Sequence, residues 1–129
     1  HWLSEVCDTL HLSRVSCVHA RAEEFAAQQR ETFDIATSRA VAQLSVLSEL
    51  CLPLIKVGGQ FAAMKSVDTE EEITAAKSAI KTLGGRIVKV EDYKIPTSDV
   101  VHRLVLIEKV SPTPRAYPRA FAKIKKAPL

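Results

Sequence analysis

Residues 33–40 read FDIATSRA. Phe33-Asp34-Ile35-Ala36 has the makings of a buried strand, yet it runs straight into two hydroxyls and a guanidinium, Thr37-Ser38-Arg39. Such a cluster at a strand tip can form a binding surface, with Arg39 a permanently charged fork. A plainer reading stands beside it. Thr37 or Ser38 caps a helix beginning at Ala40, and Arg39 pairs with a carboxylate such as Glu49. Spacing alone leaves both open. Cys7, Cys17 and Cys51 are odd in number and lack C-x-x-C spacing, so they read as reduced, semi-buried thiols of a cytosolic protein. His1, His11, His19 and His102 share no ligand spacing, and no metal site is expected.

The elements that must carry these groups follow from periodicity. Leu3, Val6 and Leu10 mark an amphipathic helix over 2–12. VSCVHA (15–20) reads as a short apolar strand, and a helix follows around Glu23–Gln29. FDIA is the next strand, and 40–55 reads as a helix with Leu44, Leu47, Cys51 and Leu54 on one face, Pro53 near its end and Gly58-Gly59 stopping it. QFAAMK is a further buried strand with Lys65 at its tip. TEEEITAAKSAIKTLGG carries a capping box (Thr69, Glu72), an apolar stripe (Ile73, Ala76, Ile80, Leu83) and a glycine cap at Gly84. RIVKVEDYKI and HRLVLIEKV are two strands joined by a turn.

Strand–helix alternation implies a parallel sheet with helices on both faces. The link between the last two strands is too short for a parallel crossover, so the last must run antiparallel. The expected fold is α/β, and its end resembles the closing, carboxyl-terminal half of the class I (Rossmann-like) methyltransferase sheet, whose seventh strand lies antiparallel between the fifth and sixth. At 129 residues, with 47% apolar and 26% charged residues, the chain suits one core. No apolar run spans a bilayer, and HWLSEVCDTLHL lacks the build of a secretion signal. The net charge of +3 hides an asymmetry. From Lys109 to the end there are six basic residues, Lys109, Arg115, Arg119, Lys123, Lys125 and Lys126, and no acid. Removing these six from 18 basic residues leaves 12 against 15 acids, so residues 1–108 carry −3. The division is an acidic body, 1–110, and a basic tail, 111–129, holding four of the six prolines. A polyanionic partner suits such a tail; a solvated terminus is the bland alternative.

HARAEEF (19–25), FDIATSRAVAQLSVLSELCLPLIKVGGQFAAMK (33–65) and TPRAYPR (113–119) resemble the bacterial 16S ribosomal RNA guanine-N7 methyltransferase family, long called glucose-inhibited division protein B. The likeness runs over essentially the whole chain. It departs after YPR, where the family continues with Gly and Pro and this chain has Ala120-Phe121-Ala122-Lys123-Ile124. The family's glycine-rich loop and the acid ending its second strand have no counterpart. Residues 1–110 would then be the carboxyl-terminal part of the domain, and its exposed sheet edges would favour self-association.

The resemblance implies a cytoplasmic enzyme that uses S-adenosyl-L-methionine to methylate guanine N7 in 16S ribosomal RNA of the small ribosomal subunit. It places Ala22, Glu23 and Arg39 at the cofactor; a plainer role for Glu23 is a helix-start acid. Lys65, Arg115, Tyr117 and Arg119 become candidate RNA contacts. Lys65 as a solvated strand end and Tyr117 packed on the sheet are the alternatives. Guanine N7 offers a free lone pair, so no catalytic side chain is expected, and alignment of the reactants supplies roughly 7–11 kcal/mol. The Asn/Asp-Pro-Pro-aromatic turn of exocyclic-amine methylating enzymes is absent at 37–40, and Cys51 sits in a helical stripe rather than at a strand tip. Two other functions stay open: a methyltransferase of the same fold acting on a small molecule or protein, and a non-catalytic RNA-binding module.

Overall fold

The computed structural model describes residues 2–39 and 42–129. Its centre is a four-stranded sheet of β1 (Phe33–Arg39), β2 (Ile55–Ser66), β3 (Gly85–Lys94) and β4 (Val101–Lys109), in the order β1-β2-β4-β3. β1 and β2 are parallel, whereas β4 is antiparallel to both its neighbours. The expected antiparallel insertion of the last strand is therefore present. The helices are α1 (Trp2–Thr9), α2 (Ala22–Gln28), α3 (Leu44–Cys51), α4 (Glu70–Thr82) and α5 (Phe121–Lys126).

Strict alternation along the strands decides what faces what. Phe61 pairs with Ile107 and Ala63 with Val105, and these four side chains are buried. They meet Leu44 and Leu47 of α3 and Ile73, Ala76 and Ile80 of α4 in one apolar cluster. The neighbours of opposite parity are more open. Ile35 and Met64 are exposed, and Leu104 and Leu106 are half-buried. Among the described residues, then, α3 and α4 cover one face and the other is uncovered, where helices on both faces were expected.

Two further expectations fail for local reasons. Residues 15–20 form no strand and are exposed throughout. Strand-forming residues hold that conformation only against a ladder partner, and none of the described strands runs beside them. The 40–55 helix is shorter, with Leu44 first and Cys51 last; Ala40, its expected start, lies outside the described residues. The helix tightens into a 3₁₀ turn at Leu52–Leu54, where Pro53 supplies no amide. Gly58-Gly59 does not stop it but sits inside β2, at a bulge where the register moves from Phe33↔Ile55 to Ile35↔Gln60. A Cβ at Gly59 would lie 2.5 Å from the Asp34 carbonyl oxygen. Gly84, after α4, has φ +91° and fulfils the expected cap. Helix α1 buries none of its residues.

Lys109, counted above with the tail, is fully buried at the end of β4. Its Nζ donates to the Leu52 and Ile55 carbonyls at 2.7 and 2.9 Å, satisfying the acceptors around the 3₁₀ turn. Burial pulls its ammonium down to about 8, against the pull of Glu31 at 3.7 Å. Because this folded value lies below that of a free lysine, the unfolded chain binds the extra proton and stability rises as pH climbs from about 8. Burial pushes the Cys51 thiol up to about 12, which works the other way above about 9. Denaturant midpoints are expected to rise from pH 8 to 9 in the native chain and to stay flat in Lys109→Met. Gly59→Ala is expected to cost about 1–3 kcal/mol in the same assay.

Candidate functional site

In open α/β sheets, ligands gather beyond the carboxyl ends of the parallel strands. Here that end of β1 is Thr37-Ser38-Arg39, all within the strand. The capping reading therefore falls, since the residue preceding α3 is Gln43. Arg39 pairs across to Met64 on the uncovered face, is exposed, and makes no ion pair with the described residues. Ser38 has the opposite parity, and its hydroxyl is buried without a hydrogen-bond partner among the described residues. Arg39 opens onto a cavity of about 590 Å³ lined also by Met64, Ser66, Tyr93, Ile95 and His102.

Lys65 touches this cavity but is not a free cation. Its ammonium pairs with Glu72 and donates to the Ala42 carbonyl at 2.8 Å, and its side chain is buried. Glu72 Oε2 also accepts the Leu44 amide at 2.7 Å, so the pair pins the entry to α3. The expected RNA contact at Lys65 is corrected: parity with Phe61 and Ala63 turns it inward. The capping box is corrected with it, because Thr69 Oγ1 donates instead to the Ser66 carbonyl at 2.9 Å.

The tail is bound to the body by two groups that sequence reasoning missed. Arg30 donates to the carbonyls of Thr113, Pro114 and Tyr117 at 2.8, 2.8 and 2.7 Å. Glu49, fully buried on α3, accepts the Arg119 amide at 2.8 Å and its guanidinium at 2.8–3.3 Å. Glu49 thus takes Arg119 rather than Arg39 and raises its pKa. Of the two expected RNA contacts here, Arg119 is engaged internally by Glu49, and Tyr117 is half-buried, packed against the core on one side and lining a pocket with Arg115 on the other. Arg115 stays exposed. A helix the sequence did not show, α5, buries Ile124, and the Phe121 ring lies 5.5 Å below the Arg21 guanidinium.

Ala22 and Glu23 open α2 but do not reach the Arg39 cavity. Ala22 lines a pocket with Cys7, Cys17, Phe25 and Phe33. Glu23 lies 3.7 Å from Arg21 and faces Arg115, Tyr117 and Pro118. The segment before them is unpaired, so no strand carries them to the rim beside Arg39. Cys51 is packed at the core, while Cys7 and Cys17 are free thiols with sulfurs 3.7 Å apart.

A family model described as rRNA small subunit methyltransferase G, GidB, matches residues 1–101. The chain belongs to this family. The Ribosomal RNA small subunit methyltransferase G of Levilactobacillus brevis is 49% identical over 99% of this GidB-family chain and 54% of its own length. That of Staphylococcus carnosus is 48% identical, over 99% and 55%. The chain spans about half the length of the curated relatives it matches. In fold it is similar to an rRNA methylase from Streptococcus thermophilus (TM-score 0.56, 17% identity, 84% of this chain and 65% of that one). It is also similar to the Burkholderia thailandensis 1,6-didemethyltoxoflavin-N1-methyltransferase bound to S-adenosylhomocysteine (TM-score 0.60, 13% identity, 84% and 56%). The sheet is thus of the class I methyltransferase type.

Breaking the tail anchor is expected to be costly in one direction. Arg119→Ala leaves the buried Glu49 carboxylate unpaired and should cost about 3–5 kcal/mol in denaturant unfolding. Glu49→Gln keeps an acceptor, removes the buried charge and should cost less.

Proposed function

We propose that this chain forms the carboxyl-terminal part of an S-adenosyl-L-methionine-dependent enzyme that methylates guanine N7 in 16S ribosomal RNA, acting in the cytoplasm. The observation that carries the reading is the family match over residues 1–101. The β1-β2-β4-β3 sheet supports it. No described helix is long and apolar enough to cross a membrane.

The residues assigned to the cofactor are Ala22, Glu23 and Arg39. Their fit is incomplete in this chain: Glu23 and Arg39 line separate cavities, and the sequence holds no G-x-G loop. Ala22, as the first residue of α2, has an amide with no partner inside the helix. Substrate recognition falls to Arg39 at the rim and to the exposed tail cations Arg115, Lys123, Lys125 and Lys126. Each neutralised phosphate would steepen the salt dependence of binding. The outer edge of β1, an exposed sheet edge, favours self-association of the 129-residue chain.

Because Thr113 and Ile124 are buried, deleting residues 111–129 would damage the body as well as remove charge. Substituting the four exposed cations with alanine tests the RNA role without that damage. Calorimetry is expected to show no micromolar binding of S-adenosyl-L-methionine to the chain alone. Methyl transfer to 16S ribosomal RNA is expected when the remainder of a family member is supplied in trans. Micromolar cofactor binding by the chain alone would contradict the assignment of the missing cofactor contacts. Absence of transfer by the combined parts would contradict the function.

A further inference from the structure

We propose that the Tyr93–His102 wall of the rim cavity is a stacking site for the guanine base of single-stranded RNA, with Arg39 and Ser66 completing it. The inference rests on the function proposed above and names the subsite that would take the base. Ser66, His102 and Tyr93 lie side by side across β2, β4 and β3, in register, so all three project from the uncovered face. The Tyr93 and His102 rings have centroids 5.6 Å apart and are tilted by 30°. Both residues are half-buried, which holds the rings in place while leaving one side open. Met64 and Ile95 supply an apolar lining, and a volume of about 590 Å³ accommodates a base and its ribose.

Charge selects the ligand. Among the described residues, no carboxylate lines the cavity. The acids nearest this end of the sheet are paired elsewhere: Glu91, on the same face as Tyr93, lies 3.1 Å from Lys89. Arg103 holds Asp92 at 2.7 Å and Glu70 at 3.0 Å, and Lys65 holds Glu72. Lys65 being paired, Arg39 is the cation among the described lining residues left to face the space, placed to donate to guanine O6 or an adjoining phosphate. An unpaired base stacked on an aromatic pair and read by a guanidinium is a recurrent mode of RNA recognition. These groups bind and orient; none needs to exchange a proton with N7.

The test uses the 129-residue chain and fluorescence anisotropy with a short uridine-rich RNA carrying one guanine. Tyr93→Ser and His102→Ser are each expected to weaken binding about tenfold, and Tyr93→Phe to stay within about twofold, as stacking requires. Melting temperatures report whether each variant folds. If Tyr93→Ser is unstable, Tyr93→Leu, which keeps apolar volume and removes the ring, takes its place. Equal binding by the folded Ser or Leu variants and the native chain would overturn the stacking site alone. No salt-sensitive RNA binding by the native chain would overturn the proposed function and this inference with it.

Discussion

The alternation of side chains along β2, fixed by its pairing with β4, is the constraint on which the rest of the molecule depends. Phe61↔Ile107 and Ala63↔Val105 must face α3 and α4 to make a core, and every neighbouring residue then has its side assigned. Lys65 is turned inward to Glu72, while Met64 and Ser66 are turned out toward Arg39 and His102. A slip of one residue would bury Met64 and Ser66 and expose the core. The pairing that stabilises the fold is therefore also what separates structural cations from those that face solvent.

That separation changes the meaning of the chain's charge. The six-residue basic excess at the end looks like one polyanion-binding tail, but two of its members are internal ties. Lys109 satisfies carbonyls beneath the 3₁₀ turn, and Arg119 neutralises the buried carboxylate of Glu49. Arg30 draws three tail carbonyls onto the body. The segment 113–124 thus behaves as part of the domain's packing, and the charge left for a partner sits on Arg115, Lys123, Lys125, Lys126 and Arg39.

Much of this was legible in the residues. Spacing located α4 and its glycine cap, and the short link between β3 and β4 dictated the antiparallel insertion. Family resemblance located the chain in the right family. The inward turn of Lys65 was also readable, since it shares parity with Phe61 and Ala63, but a lysine at a strand tip invites the solvated reading. What could not be read were effects of tertiary pairing. VSCVHA has strand-forming residues and no ladder partner; Thr69 and Glu72 have capping spacing, yet a lysine and an amide on other elements take the glutamate. Tyr93 and His102 lie on strands of opposite direction and meet only through register.

The proposed function requires the uncovered face, at the carboxyl rim of β1 and β2, to take up single-stranded RNA. Amide chemical-shift mapping of the isotopically labelled chain during titration with guanine-containing single-stranded RNA tests it most directly. The account predicts shifts concentrated at Arg39, Met64, Ser66, Tyr93 and His102, with a weaker set along the exposed tail cations. Shifts confined to α3 and α4, or to the tail with the rim unmoved, would contradict it.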